Sequence, residues 1–177
     1  MVANYRCNEI KDESYRLVEE KITDLTRISA EKEVPGYKDK CQEVTSLALN
    51  HFSKQSRQYD REVSGKIQLE LTEHIMSQLF FSFDAQMKVL KHRVLESFKT
   101  EIKKLEAREL DEVANSIAKI LEALKEAKIG SYKRHSDELL FDGSGWEKHV
   151  ILHVTEIKET IVDLANNCRD RLLSKLT

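Results

Sequence analysis

Apolar residues recur at helical intervals along almost the whole chain, and the pattern breaks in few places. Ile10, Leu17, Val18, Ile22, Leu25 and Ile28 share one face at helical spacing, which predicts a first helix from about Val2 to about Glu31. Val34-Pro35-Gly36 then ends it with a turn signal. Pro35 is the only proline in the chain, and a proline inside a helix removes one hydrogen bond and clashes with the preceding turn. A second helix begins near Tyr37 and carries Tyr37, Cys41, Val44, Ala48, Phe52, Tyr59 and Val63. Ser64-Gly65 is its weak point. A helical glycine costs only about 1 kcal/mol relative to alanine, so the helix is free to run on through it.

The next stripe is Ile67, Leu71, Ile75, Leu79, Phe83, Met87, Leu90, Val94, Phe98, Ile102 and Leu105, spaced by eight steps of four and two of three. Each residue advances about 100°, so a four drifts by about +40°, a three by about −60°, and the whole stripe by roughly +200°. A straight helix with that drift cannot keep one neighbour, so its two ends are expected to bury against different partners. Leu110, Val113, Ile117, Ile120, Leu124 and Ala127 instead alternate threes and fours, a heptad-like seam that holds one neighbour. Ile129-Gly130 weakens that helix, which resumes through Tyr132 and Leu139. Phe141-Asp142-Gly143-Ser144-Gly145 reads as a loop. A last helix starts near Trp146 with the stripe Val150, Val154, Ile157, Ile161, Leu164, Cys168 and Leu172. The expected fold is all-α, an elongated bundle of long antiparallel helices. Two three-helix bundles in series sharing a long helix is one arrangement the pattern allows.

Composition narrows the function classes. The 177 residues are 40% apolar and 34% charged, which suits thin bundles whose helices are largely solvated. A net charge of −2 lacks the basic excess of a nucleic-acid binder. No apolar run approaches the roughly 20 residues a membrane span needs; the densest cluster is Leu79, Phe80, Phe81 and Phe83. Arg6, Glu9 and Lys11 interrupt any signal-peptide pattern. The cysteines, Cys7, Cys41 and Cys168, are odd in number and widely spaced, so they read as free thiols in a reducing compartment.

Candidate chemistry is sparse. The five glycines are too scattered to cradle a phosphate, so no cofactor and no enzymatic activity are expected of this chain. His149 and His153 stand at i and i+4 with Glu156 a turn further on, a spacing that can present two imidazoles to a metal. The HExxH pattern and a nearby third ligand are missing, so no metal site is expected and the pair reads as lining the helix rim beside Val150 and Val154. Glu73 and His74 are adjacent and face different ways, and His51, His92 and His135 are isolated. Lys88, Lys91, Arg93, Lys99, Lys103 and Lys104 flank Leu90, Val94, Phe98 and Ile102, a basic amphipathic pattern of the kind that binds calmodulin or anionic membranes. The stripe continues on both sides, so it reads as an ordinary bundle helix with a solvated face.

The opening Met1-Val2-Ala3-Asn4-Tyr5-Arg6-Cys7-Asn8-Glu9-Ile10 resembles the M-V/I-A-T-x-R-C-x-E-I stretch of the root-hair-defective family of dynamin-like GTPases, counterparts of the atlastins. Tyr59-Asp60-Arg61-Glu62-Val63 with Lys66, Leu69 and Leu71 resembles that family's Y-D-x-x-V and K-x-x-L patterns. Trp146 and the helix to Thr177 resemble its tryptophan-led stalk helix. The resemblance implies that residues 1–177 are the helical stalk, or middle region, of a larger protein. That parent hydrolyses GTP with magnesium and fuses endoplasmic reticulum membranes. The GTPase domain lies upstream and the membrane segments downstream, neither of them in this chain. It also implies a place on the cytosolic face of the endoplasmic reticulum, a homodimer formed through the parent, and membrane contact only through the absent C-terminal segments.

Tyr5 and Val2 fall one and two turns ahead of Ile10 and are read as continuing its apolar face. With Arg6 to pair an acidic partner group, Val2, Tyr5 and Arg6 are the expected contact with the GTPase domain. The alternative functions are a free-standing helical adaptor that binds partner helices and a spectrin-like spacer. No tandem repeat supports the spacer. The expected elongation is measurable, since a compact globule of this length has a radius of gyration of about 16 Å. Small-angle scattering is expected to return a clearly larger value, and one near the compact figure would refute an elongated bundle.

Overall fold

The computed structural model describes residues 2–108 and 116–176, which form five helices and no strand. They are α1 (Val2–Glu31), α2 (Tyr37–Gln55), α3 (Arg61–Glu106), α4 (Ile117–Leu139) and α5 (Glu147–Leu176). The chain divides into two compact units. Unit 1 comprises Met1–Gln86 with Leu139–Gly145, and unit 2 comprises Met87–Glu138 with Trp146–Thr177. Each therefore draws on three helical pieces, and α3 serves both, divided between Gln86 and Met87. The all-α reading holds. Leu110 and Val113 of the expected seam lie outside the described residues.

The stripe of α3 is the core of both units. All eleven of its residues, from Ile67 to Leu105, are 4% exposed or less. Leu90, Val94, Phe98 and Ile102 are among them, so the apolar face of the basic segment is occupied inside unit 2.

In unit 1 the buried face of α1 runs through Cys7, Ile10, Ser14, Val18, Ile22, Leu25 and Ser29. Leu17, expected in that stripe, is exposed and Ile28 is half-buried. The places they were to fill go to Ser14 and Ser29. Ser14 enters the core because its hydroxyl donates to the Ile10 carbonyl at 2.7 Å, which satisfies it within its own helix. Thr45 does the same on α2, donating to the Cys41 carbonyl at 2.8 Å.

Helix α1 ends against α3. The fully buried side-chain amide of Gln86 donates to the Ser29 carbonyl at 2.9 Å and the Lys32 carbonyl at 2.7 Å, and accepts from the Val34 N–H at 2.8 Å. The linker then turns at Gly36, whose φ of 64° is the left-handed conformation that glycine alone adopts without strain. One turn before Gln86, Ser82 donates to the Leu79 carbonyl at 2.6 Å, which spends its only proton. It therefore accepts the hydrogen bond from the Tyr37 hydroxyl at 2.7 Å, fixing the start of α2.

The second break falls at residues 56–60, ahead of Gly65. Asp60 starts α3: its carbonyl accepts from the Ser64 N–H at 2.9 Å and its carboxylate from the Val63 N–H at 3.3 Å. Tyr59 and Val63, expected on the α2 stripe, are half-buried, Tyr59 within that break and Val63 beyond it in α3. Gly65 and Gly130 both lie inside helices and break neither. The 141–145 loop is where it was expected, with Gly143 and Gly145 at φ 79° and 78°. Lys38 pairs with Asp142 at 3.3 Å, tying this loop to the start of α2.

In unit 2 the face of α4 is rotated from the expected seam. Ile117, Leu121, Tyr132 and Ser136 are buried, Ile120 and Leu124 are half-buried, and Ala127 is exposed. Ser136 donates to the Tyr132 carbonyl at 2.7 Å. On α5, His153 and Ala165 occupy core positions that were expected to go to Val154 and Leu164. Polar links join the helices here. Lys128 donates to the Ser97 hydroxyl at 2.7 Å, and Arg171 pairs with Glu106 at 2.7 Å.

Gln86 and Ser29 make a paired test of this account. Gln86→Ala leaves a buried N–H and two carbonyls short of partners, so urea unfolding is expected to show a loss of about 1–3 kcal/mol or more. Ser29→Ala, whose buried hydroxyl has no hydrogen-bond partner, is expected to be neutral or stabilising. Equal losses in both variants would contradict the assignment.

Candidate functional site

The start of α1 carries the residues singled out for a partner contact. Val2 is 79% exposed and Tyr5 69%, so neither continues the buried face. Cys7 does so instead, three residues before Ile10 and fully buried. The reason is angular: Tyr5 precedes Ile10 by five residues, which puts it about 140° around the helix. Arg6 is committed within unit 1. Its guanidinium donates to Glu9 at 2.6 Å and lies 3.8 Å from Glu13. The Arg6 hydrogen bond, and after it one from Tyr5, holds the Glu9 carboxyl below its usual range. What this end presents is therefore an apolar and aromatic surface beside a guanidinium already engaged.

A second cluster lies in unit 2 between α3 and α5, built around His153, only 4% exposed. Its Nδ1 is 2.9 Å from the Lys91 Nζ, and its Nε2 is 3.0 Å from the His149 Nε2. Lys91 also donates to the Glu156 carboxylate at 2.8 Å, which pulls that carboxyl below its usual range. The Lys91 ammonium can only donate, so Nδ1 of His153 accepts, and its proton resides on Nε2, pointing at His149. The i, i+4 spacing was legible in the sequence. Lys91, 62 residues away, was not.

The other sequence candidates stay separate. His74 packs against Tyr15 with ring centroids 4.3 Å apart and planes tilted by 60°, and His135 lies 2.7 Å from the Ser131 carbonyl. All three cysteines are buried and reduced. Burial pushes the Cys41 and Cys168 thiols up to about 11. No helix among the described residues is long and apolar enough to cross a membrane. The thiols are expected to resist alkylation in the native protein at neutral pH and to react promptly in denaturant, since the thiolate is the reactive form. Mass spectrometry of iodoacetamide-treated samples reads this, and rapid native labelling of Cys41 would contradict it.

Comparison with known proteins agrees with the helical architecture. A family model described as the Sey1 three-helix bundle domain matches residues 35–177, which contain α2 to α5. Protein ROOT HAIR DEFECTIVE 3 homolog 2 of Oryza sativa subsp. japonica is 24% identical over 186 residues, covering 99% of this chain and 22% of that protein. Protein SEY1 homolog 2 of Paramecium tetraurelia is 26% identical over 105 residues, covering 59% of this chain and 14% of that protein. The chain thus spans about a fifth or less of the length of these relatives. No solved structure matches it. Val2, Tyr5 and Arg6 precede the matched segment, but the rice relative aligns along nearly the whole chain. With the family model covering most of its residues, the chain belongs to the Sey1 three-helix bundle domain family.

Proposed function

We propose that this chain is the non-catalytic helical stalk of a dynamin-like GTPase that fuses endoplasmic reticulum membranes. It would couple an upstream GTPase domain to a downstream membrane anchor on the cytosolic face. The observation that carries this reading is the family match over residues 35–177. Two features support it. The relatives are far longer than this chain. The glycines are scattered through two turns and two helices, and none forms a phosphate cradle. GTP and magnesium belong to the parent's GTPase domain, and no residue here is assigned to them. Homodimerisation likewise belongs to the parent.

The mechanical role follows from the connections. The contact with the GTPase domain is assigned to Val2 and Tyr5, with Arg6 as their support. A displacement delivered there enters α1 directly. Gln86 passes it to the middle of α3 through three hydrogen bonds. Helix α3 is one helix that contributes to both units.

Tyr5→Ala tests the docking assignment when made both in this chain and in the full-length protein. The melting temperature of the chain alone is expected to stay within about a degree or two, as for a surface substitution. GTP-driven fusion of vesicles carrying the full-length variant is expected to fall. A loss in the chain comparable to that of Leu25→Ala, roughly 2–5 kcal/mol, would make Tyr5 a structural residue. Unimpaired fusion would remove the docking role.

A further inference from the structure

We infer that His149 and His153 form a binding site for a divalent first-row transition ion, the two Nε2 atoms acting as ligands and water completing the shell. The two nitrogens are 3.0 Å apart, on adjacent turns of α5. An ion about 2.0–2.1 Å from each would subtend about 90° at that separation, the cis angle of octahedral and square-based complexes. Two imidazoles select copper, nickel and zinc over magnesium and calcium, which prefer oxygen. His149 is half-buried, so an ion has a path from solvent, while His153 is held from below.

Coordination needs a lone pair on both Nε2 atoms. His149 already offers one, because it accepts from His153. His153 must move its proton from Nε2 to Nδ1, so no proton is lost and the ring stays neutral. In the ion-free state Lys91 opposes that move by donating to Nδ1 at 2.9 Å. The structure also contains the group that would accept the relocated proton. The Glu156 carboxylate lies 3.7 Å from Nδ1, on the same side as Lys91. A small shift of Glu156 completes a carboxylate–histidine–metal arrangement, the usual way a ligating imidazole is oriented. The ammonium remains beside Glu156 at 2.8 Å, across the ring from the ion. Lys91 and Glu156 therefore act as positioning residues that set which His153 nitrogen carries the proton.

Calorimetric titration of the chain with nickel chloride and with zinc chloride at neutral pH tests this, with magnesium chloride as the control. Saturable binding of one ion per chain is expected, absent with magnesium. His149→Ala is expected to weaken it at least tenfold, with His149→Gln as the substitute if the alanine variant fails to fold. Lys91→Met removes the donor that holds the proton on Nε2 and is expected to tighten binding. Nitrogen-detected NMR of the His153 ring should follow the proton from Nε2 to Nδ1 as zinc is added. No saturable heat, or affinity unchanged in both His149 variants, would overturn the site. Weaker or unaltered affinity in Lys91→Met, with the ring proton staying on Nε2, would overturn the coupling to Lys91.

Discussion

A helix that ends against protein leaves its last carbonyls without partners, and unit 1 solves this with one side chain from another helix. Gln86 takes the Ser29 and Lys32 carbonyls with its two N–H groups and the Val34 N–H with its oxygen. An amide fits because it carries donors and an acceptor on one rigid plane; a carboxylate would lack the donors and an alcohol the reach. Ser82, one turn earlier on the same face of α3, receives the Tyr37 hydroxyl from the start of α2. Both ends of the α1–α2 linker are thus anchored on two neighbouring turns of a single helix. Burial makes the arrangement strict, because a partly satisfied polar network in a low-dielectric core is worse than an apolar one. The other packing of unit 1, including the turn at Pro35 and Gly36, is built outward from that anchor.

The apolar stripe of α3 was fully legible because its positions are filled by large side chains with no polar atoms. The stripes of α1, α2 and α4 were only partly legible, and most of the misses share a cause. Ser14, Thr45 and Ser136 are polar by letter but donate to the carbonyl four residues back, so in the core they act as small apolar groups. A reading that counts apolar letters moves the stripe to Leu17 on α1 and to Ile120 and Leu124 on α4. The core positions of His153 and Gln86 were missed for a different reason. Their partners lie more than fifty residues away in sequence, and no local periodicity encodes such a contact. The break at residues 56–60 carries neither proline nor glycine. Its signal was the N-cap at Asp60, set against a neighbouring glycine that drew attention and costs little in a helix.

The same reasoning separates the two polar clusters. Lys11–Glu70 and Lys99–Glu96 are exposed ion pairs of the kind that contribute between nothing and about 1 kcal/mol. The group around His153 differs because the imidazole is inside the core and must be satisfied there. Lys91 can satisfy it only by donating, and this forces a tautomer whose proton points at His149. An aliphatic residue at position 153 would fill the space without needing Lys91 at all. Retaining a histidine there fixes the relative rotation of α3 and α5 in unit 2 through a directional contact that apolar packing does not supply.

At the start of α1 the geometry differs from the one read in the sequence. Val2 and Tyr5 were assigned to the apolar face and turn out to lie off it, with Cys7 carrying that face upward. Single exposed apolar side chains are common and by themselves say little. The informative neighbour is Arg6, whose charge is spent on Glu9 and Glu13 of the same helix. A partner seated here would meet the Tyr5 ring and the Val2 side chain, beside a guanidinium already paired with acids. The docking role proposed above therefore rests on burying Tyr5 rather than on ion pairing. Arg6 is held on its own helix by Glu9 and Glu13, one and two turns along, beside Tyr5.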